Sequence, residues 1–368
     1  MRVAHVITGL GVGGAETQLR LQLRHTAHEA EVFTLTNPGP IAEQLRSDGI
    51  PVTTLGMRGN RDLAVLPRLA RLLRDGRFDV VHTHLYRAML YGRLAARFAG
   101  IRTILGTEHS LAGGLLEGRP AGRPGIRAVY RFGERLGSLT IAVSPAVADR
   151  LREWGVAAHR MRVIPNGIDA GELAFDPDRR ARARARLGIG TGAFVLGAVG
   201  RLVPGKRFDV LIETLPMVGD ATLILVGDGP ERANLSALAE RRGVAERVVF
   251  AGETERVRDF LSAFDMLASP SAEETFGLAV LEALAAGLPV IYQHCPALQE
   301  QRGIELAAAV RINCTPENLR AAIGKLRAGK HDREPAAVVA RYDIRRVSGE
   351  IDGLYRELSG LRSEPVVA

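Results

Sequence analysis

Three stretches of this 368-residue chain combine residue types that could handle a phosphorylated ligand. The first is Gly9-Leu-Gly11-Val-Gly13-Gly14-Ala-Glu16, which follows an apolar run at residues 3–8 and precedes a segment of helical period. Glycines let the backbone approach a diphosphate, and the helix N-terminus behind them adds partial positive charge. Gly9, Gly11 and Gly14 also spell GxGxxG, so a nicotinamide or flavin enzyme and a tight structural turn both remain open here. A dinucleotide site wants an acid at the end of the second strand to hold ribose. That strand is expected to end at Thr34-Leu35-Thr36-Asn37, with Glu29 and Glu31 before it, so the dinucleotide fingerprint is incomplete.

The second stretch is Gly200-Arg201-Leu-Val-Pro-Gly205-Lys206-Arg207, after the apolar run at 194–199. Arg201 as a bidentate fork and Lys206 as a point charge suit two phosphates; a solvated basic loop is the alternative. The third is Glu273-Glu274-Thr-Phe276-Gly277-Leu278, running on through Glu282 to Gly287-Leu-Pro289-Val290. On one helix, Glu274 and Glu282 would lie roughly 12 Å apart on different faces, which excludes a close carboxylate dyad of the glycosidase kind. With Glu274 in the loop before the helix, the acids bracket its N-terminus. One can then reach a sugar and the other a ribose, with amides facing phosphate between them. Two surface glutamates on an amphipathic helix is the alternative.

Histidines 82, 84 and 109 could suggest a metal, but a third ligand of known spacing is missing. At strand ends they read as local hydrogen-bonding groups or as lining for an acceptor. Asp176-Pro-Asp178 spells the DxD that manganese transferases of another fold use; ahead of an arginine-rich helical segment it reads as a cap. No metal is expected.

These stretches sit in a repeating pattern of strand, loop and helix. Strands are expected at residues 3–8, 32–35, 80–82, 103–105, 140–143 and 161–164, then 194–199, 222–226, 248–251, 266–269 and 289–291. Helical periods occupy residues 18–25, 63–73, 127–136, 209–215 and 278–285. The alternation implies parallel sheets, and the wholly apolar strands imply helices on both faces. Length suggests two domains. The expected break is at Asn166-Gly167-Ile168-Asp169, giving domains 1–168 and 169–345.

Two cysteines are too few for a disulfide framework, which points to a reducing compartment. No apolar stretch is long enough to span a bilayer, and residues 1–14 read as a strand and loop rather than a cleaved leader. Net charge is +8, from 49 basic and 41 acidic residues, but residues 1–168 carry 23 Arg and no Lys against 13 acids. Subtraction leaves 26 basic and 28 acidic residues for the remainder, so the basicity belongs to the first half. It concentrates between Arg61 and Arg77 (Arg68, Arg71, Arg74) and in the series Arg119, Arg123, Arg127, Arg131 and Arg135, where Pro120 and Pro124 are expected to keep the start as loop. From Arg127 on, arginines align on one helix face, with Val129, Phe132 and Leu136 on another. An anionic membrane or acidic glycan fits this, as does a solvated face in an arginine-rich protein. Aromatics at 5% and the lack of a binding module argue against nucleic acid.

Taken in order, the motifs resemble those of the retaining glycosyltransferases of family 4, over essentially the whole chain. They are Gly13–Glu16, His82-Thr-His84, Thr107-Glu108-His109, Val143-Ser144 and the stretch Ile164 through Asp169, followed by Gly200-Arg201 with Gly205-Lys206, Val226 through Pro230, the E-x7-E block from Glu274 to Glu282, and Gly287 through Val290. The resemblance implies the GT-B architecture, two Rossmann-like doubly wound parallel-sheet domains facing across a cleft, with a helix at 346–368 packing back on the first. It implies a nucleoside-diphosphate sugar as donor, UDP favoured over GDP, with no cofactor. A glycan, lipid-linked or small-molecule acceptor lies on the first domain. Arg201 and Lys206 would neutralise the leaving diphosphate, aided by the Gly200 loop. Glu274 would hold the transferred sugar, with the amides of Phe276, Gly277 and Leu278. Glu282 would take the ribose, Gly13 and Gly14 would let the first loop approach the donor, and His109 would sit near the reacting sugar. Glu16, His84 and Asn166 are assigned to the acceptor side. The resemblance places the protein in the cytoplasm, with peripheral contact at the inner membrane face as an added reading. The alternatives are an NAD-dependent oxidoreductase, a UDP-sugar epimerase of the same fold and a non-catalytic membrane-binding relative. Gln293-His-Cys295-Pro296-Ala297-Leu298 departs from the family's Gly-Gly-x-x-Glu pattern, leaving donor choice and activity open.

Overall fold

The computed structural model describes residues 1–59, 61–110, 115–116, 119–120, 124–299, 308–329 and 331–360. The chain divides into two compact units, Met1–Gly167 with the stretch from Ile344 on, and Ile168–Asp343. The first thus ends one residue before the expected break, and the returning segment starts two residues early. Local bonding explains both. Gln18 holds Gly167 through paired hydrogen bonds of 2.8 and 2.9 Å, while the Ile168 N–H donates to the Tyr342 carbonyl at 2.7 Å.

The first unit contains a seven-stranded parallel sheet built from β1 (Arg2–Ile7), β2 (Glu29–Thr34), β3 (Val52–Thr54), β4 (Val80–His84), β5 (Thr103–Glu108), β6 (Leu139–Ala142) and β7 (Met161–Val163). Their spatial order is β3-β2-β1-β4-β5-β6-β7, the doubly wound order that reverses between β1 and β4. Glu29 and Glu31 lie inside β2 rather than before it, because pairing with β1 extends the strand past its apolar core. Alternation along β1 splits the core between two layers. Ala4 and Val6 pack with Phe33, Leu69 and Tyr91; Val3 packs with Leu105, Ile351 and Tyr355. The latter two come from the helix Ile344–Leu358, whose buried residues Val347, Ile351, Leu354 and Tyr355 recur at helical spacing.

The second unit repeats the plan with β8 (Val195–Val199), β9 (Thr222–Val226), β10 (Val248–Gly252), β11 (Met266–Ser269), β12 (Val290–Tyr292) and β13 (Ala309–Arg311), in the order β10-β9-β8-β11-β12-β13. Its switch point lies between β8 and β11. The strands β3 and β13, which no apolar run announced, are three-residue edge strands held by pairing with a single neighbour.

Two local expectations are corrected. Pro124 opens the helix Pro124–Arg135 instead of lying in loop, since proline at a first helical position loses nothing by lacking an N–H. Arg119 and Pro120 form one arm of a short antiparallel pair with Leu115–Leu116, and Arg123 falls outside the described residues. On that helix Tyr130, Gly133 and Glu134 are buried, whereas Val129 and Phe132 are 39% and 53% exposed. Asp176 caps the helix Pro177–Arg186, accepting hydrogen bonds from the N–H groups of Asp178 and Arg179 at 2.9 and 3.0 Å.

Candidate active site

At the switch point of the second unit, the loops after β8, β9 and β11 are joined backbone to backbone. The Gly200 N–H donates to the Val226 carbonyl at 2.9 Å, and the Leu202 N–H to the Asp228 carbonyl at 2.9 Å. A Cβ on Gly227, whose φ is +131°, would run into the Gly200 carbonyl, so only glycine permits this approach. The β11 loop is tied in by the Ala272 N–H, which donates to the Gly205 carbonyl at 3.1 Å.

This frame brings Lys206 and Glu274 together as an ion pair, both largely shielded from water. Arg201, on the same loop as Lys206, is exposed, and its guanidinium makes no hydrogen bond or ion pair among the described residues. Glu274 lies in the loop, not on the helix, which runs Leu278–Ala285 and has no side-chain cap. The first N–H groups of an uncapped helix are ready donors to an anion. Gly277 adopts φ +98° at the turn into that helix, with the Cys295 sulfur packed where a Cβ would be. Phe276 is buried, its ring edge-on to Tyr342 at 5.4 Å. Glu282 lies in the helix's second turn; burial pushes its carboxyl up to about 7, and no described residue bonds to it.

In the first unit, residues 80, 82 and 84 of β4 face the layer of the Ile344–Leu358 helix, as period-two alternation requires. His5 of β1 sits opposite His82 in register and supplies the third histidine that sequence spacing lacked. His5 Nδ1 is 3.1 Å from His84 Nε2, and His84 Nδ1 is 3.5 Å from His109 Nε2. His82 is bonded at both nitrogens, to the Tyr355 hydroxyl at 2.6 Å and the Thr107 hydroxyl at 2.7 Å. Burial depresses all four rings, His5 to about 3, His109 to about 4, His82 and His84 well below the ordinary histidine range. They are neutral at pH 7. Three of them, His5, His82 and His84, lie close enough to offer nitrogens to a metal. However, these nitrogens bond to each other and to hydroxyls, so the geometry reads as a satisfied polar network.

His84, Thr107 and His109 line a pocket with Gln18, Gln22 and Asn166. His109 Nδ1 is buried there without a partner. Glu108 acts differently from its motif neighbours. Buried, it accepts from the Ser110 N–H at 2.8 Å and the Tyr130 hydroxyl at 3.2 Å, fixing the chain just after His109. Gly13 is the cap and Gly14 the first residue of the helix Gly14–Leu23, four residues earlier than periodicity suggested, because Gly14-Ala-Glu16-Thr17 holds no large apolar residue to carry a period. The Glu16 carboxylate folds back over Gly13 at that helix N-terminus. Sequence reasoning missed His5, Tyr355, Cys295 and Tyr342. For Tyr355 a signal exists in the helical spacing of Val347, Ile351, Leu354 and Tyr355.

Two doubly wound parallel sheets of this order are those of the GT-B fold. Residues 12–172 match the model of glycosyltransferase family 4, and residues 193–328 that of the group 1 glycosyl transferases. The chain is 31% identical over 292 residues to a GDP-mannose-dependent alpha-mannosyltransferase of Mycobacterium tuberculosis, covering 76% of this chain and 74% of that protein. It is 28% identical over 269 residues to an Escherichia coli UDP-Gal:alpha-D-GlcNAc-diphosphoundecaprenol alpha-1,3-galactosyltransferase, covering 69% and 68%. The fold matches that of Anabaena HepE, solved with UDP-glucose, at TM-score 0.82 and 22% identity, over 97% of this chain and 100% of that one. The chain belongs to glycosyltransferase family 4. It is an enzyme that transfers a sugar from a nucleotide-sugar donor.

Proposed function

We propose that the reaction is retaining and metal-independent, with a UDP-sugar preferred to a GDP-sugar, no cofactor, and a glycan, lipid-linked or small-molecule acceptor. The observation that carries this is the Lys206–Glu274 pair beside the unpaired Arg201 on one glycine-rich loop. Breaking the bond to the diphosphate builds negative charge on the leaving oxygen; Lys206, held by Glu274, and the free Arg201 stabilise that charge. Arg201 and Lys206 take the diphosphate, so no metal is required for neutralisation. Glu274 accepts hydrogen bonds from the transferred sugar, the amides of Phe276, Gly277 and Leu278 take sugar and phosphate, and Glu282 accepts from ribose. Gly13 and Gly14 keep the first loop low enough to approach the donor, and His109 meets the reacting sugar. As the acceptor oxygen bonds to the anomeric carbon on the leaving group's own face, the departing phosphate oxygen takes the acceptor's proton. Configuration is thereby retained. Glu16, His84 and Asn166 serve the acceptor.

The base preference follows the E. coli relative, named for UDP-Gal; the M. tuberculosis relative is named for GDP-mannose. Thermal-shift titration with UDP, GDP and NAD tests the reading. Stabilisation by UDP is the expected result. A larger shift with GDP reverses the base assignment, and stabilisation by NAD alone overturns the transferase site.

No helix among the described residues is long and apolar enough to cross a membrane. A cytoplasmic enzyme docking peripherally on an anionic membrane at the inner face fits the exposed arginines at 68, 71 and 74, and at 127, 131 and 135 around Val129 and Phe132.

A further inference from the structure

The segment where this chain leaves the family pattern, residues 293–298, bonds inward at two points of the donor site. Arg207, immediately after Lys206, has φ +53°, a left-handed conformation that is costly for a side-chain-bearing residue. Its guanidinium donates to the Gln293 Oε1 at 2.9 Å and to the Cys314 carbonyl at 3.2 Å. The same Oε1 also accepts from the Cys314 N–H at 3.0 Å. A single side-chain oxygen therefore ties the end of the Lys206 loop to the loops after β12 and β13. Two residues on, the Cys295 thiol donates to the Phe276 carbonyl at 3.5 Å, and the Ala297 N–H donates to that carbonyl at 3.0 Å. The Ala297 carbonyl in turn accepts from the Tyr342 hydroxyl at 2.6 Å, and Tyr342 stacks edge-on against Phe276.

Pro296 has no N–H and that of Ala297 is already used, which disfavours direct ligand contact by this stretch. The geometry points to a different role: Gln293, through Arg207, is a positioning residue that fixes Lys206 against Glu274 for the donor diphosphate. This rests on the donor-site reading above. Arg207, although the third cation of its loop, is withdrawn from the phosphate and spends its guanidinium on the brace.

The test is isothermal titration of the full chain with UDP and with GDP, comparing wild type with Gln293→Leu, Gln293→Glu, Arg207→Gly and the Arg207→Gly/Gln293→Leu double variant. Glycine accepts φ +53° without strain, so Arg207→Gly removes the brace while sparing the backbone. Displacement of a positioned group by an ångström costs up to about a hundredfold, and groups in one network are non-additive. Gln293→Leu and Arg207→Gly should each weaken binding of the nucleotide by about tenfold. The double variant should be no weaker than either single one. Gln293→Glu, which keeps the acceptor oxygen, should stay within about threefold of wild type. Nucleotide binding unchanged in Gln293→Leu, or full additivity in the double variant, overturns the positioning role. A Lys206→Ala control separates the two ideas: if it binds nucleotide as wild type does, the donor-site reading falls and the brace falls with it.

Discussion

The Lys206 ammonium and the Glu274 carboxylate are paired across 68 residues of sequence, each delivered by a separate loop at the switch point of the second sheet. The pair sets the position of a cation for phosphate and of a carboxylate for sugar before either ligand arrives. Lys206→Ala and Glu274→Ala should each lower turnover by at least about a hundredfold, the scale of losing one preorganised charge stabiliser. Loss of stability should be only about 1–2 kcal/mol, between the exposed and buried limits for an ion pair. Sugar-transfer kinetics and urea unfolding check the two halves; an active Lys206→Ala enzyme rejects the assignment.

Glu282 gives a pH signature. Its carboxyl titrates at about 7 when folded, against an ordinary 4.5, so between these values the folded chain holds a proton that the unfolded chain has lost. Its contribution to stability is complete below pH 4.5 and lost as pH rises through 7. Glu282→Gln should therefore stabilise the fold by on the order of 1–3 kcal/mol at pH 8, raising the melting temperature there, and leave it nearly unchanged at pH 4.5. Nucleotide affinity should strengthen from pH 6 to pH 8 in the wild type, as the carboxylate ionises to accept from ribose, and stay flat in the variant. Equal gains in melting temperature at both pH values would contradict this account.

The histidines act with the opposite sign. His5, His82, His84 and His109 all have folded values depressed below 6.5, so the unfolded chain takes up protons that the folded chain refuses. Stability is complete above pH 6.5 and falls as pH drops, the contributions of His5 and His109 being lost toward about pH 3 and 4. The urea midpoint should drop steeply from pH 6.5 to pH 5. A flat midpoint over that range would show the rings to be accessible to protons.

Gly277→Ala should abolish activity and destabilise the second unit by at least about 2 kcal/mol. The new methyl meets the Cys295 sulfur, and φ +98° is itself strained for alanine. Pairing it with Cys295→Ala should recover only part of the loss, since the backbone strain remains. Full recovery of melting temperature in the double variant would assign the whole effect to the sulfur.

Vesicle pelleting tests the arginine-rich face of the first unit. Binding to anionic vesicles should exceed binding to neutral ones and fall with salt. Phe132→Ser with Arg131→Gln and Arg135→Gln should reduce it severalfold. Indifference to lipid charge would leave the exposed Phe132 as plain surface.

Much of the candidate site's local structure was legible along the chain because its determinants are local. Arg201 and Lys206 share one loop, and the eight-residue interval from Glu274 to Glu282 placed one acid ahead of a helix and the other on it. The all-apolar strands carried the parallel sheets for the same reason. Edge strands β3 and β13 were not legible, since Val-Thr-Thr and Ala-Val-Arg hold too little apolar character to read as a run.

The sequence by itself determined the two-sheet plan, the family motifs and the uneven charge, all readable along the chain without knowing which strands pair. Tertiary structure alone decided that His5 faces His82, because register between β1 and β4 is a pairing choice across the sheet. It alone joined Lys206 to Glu274, and Arg207 to Gln293, since loops distant in sequence meet only once their strands are ordered in the sheet. And it alone turned Phe132 outward on its helix, because the face that packs inward is the one bearing Tyr130, Gly133 and Glu134.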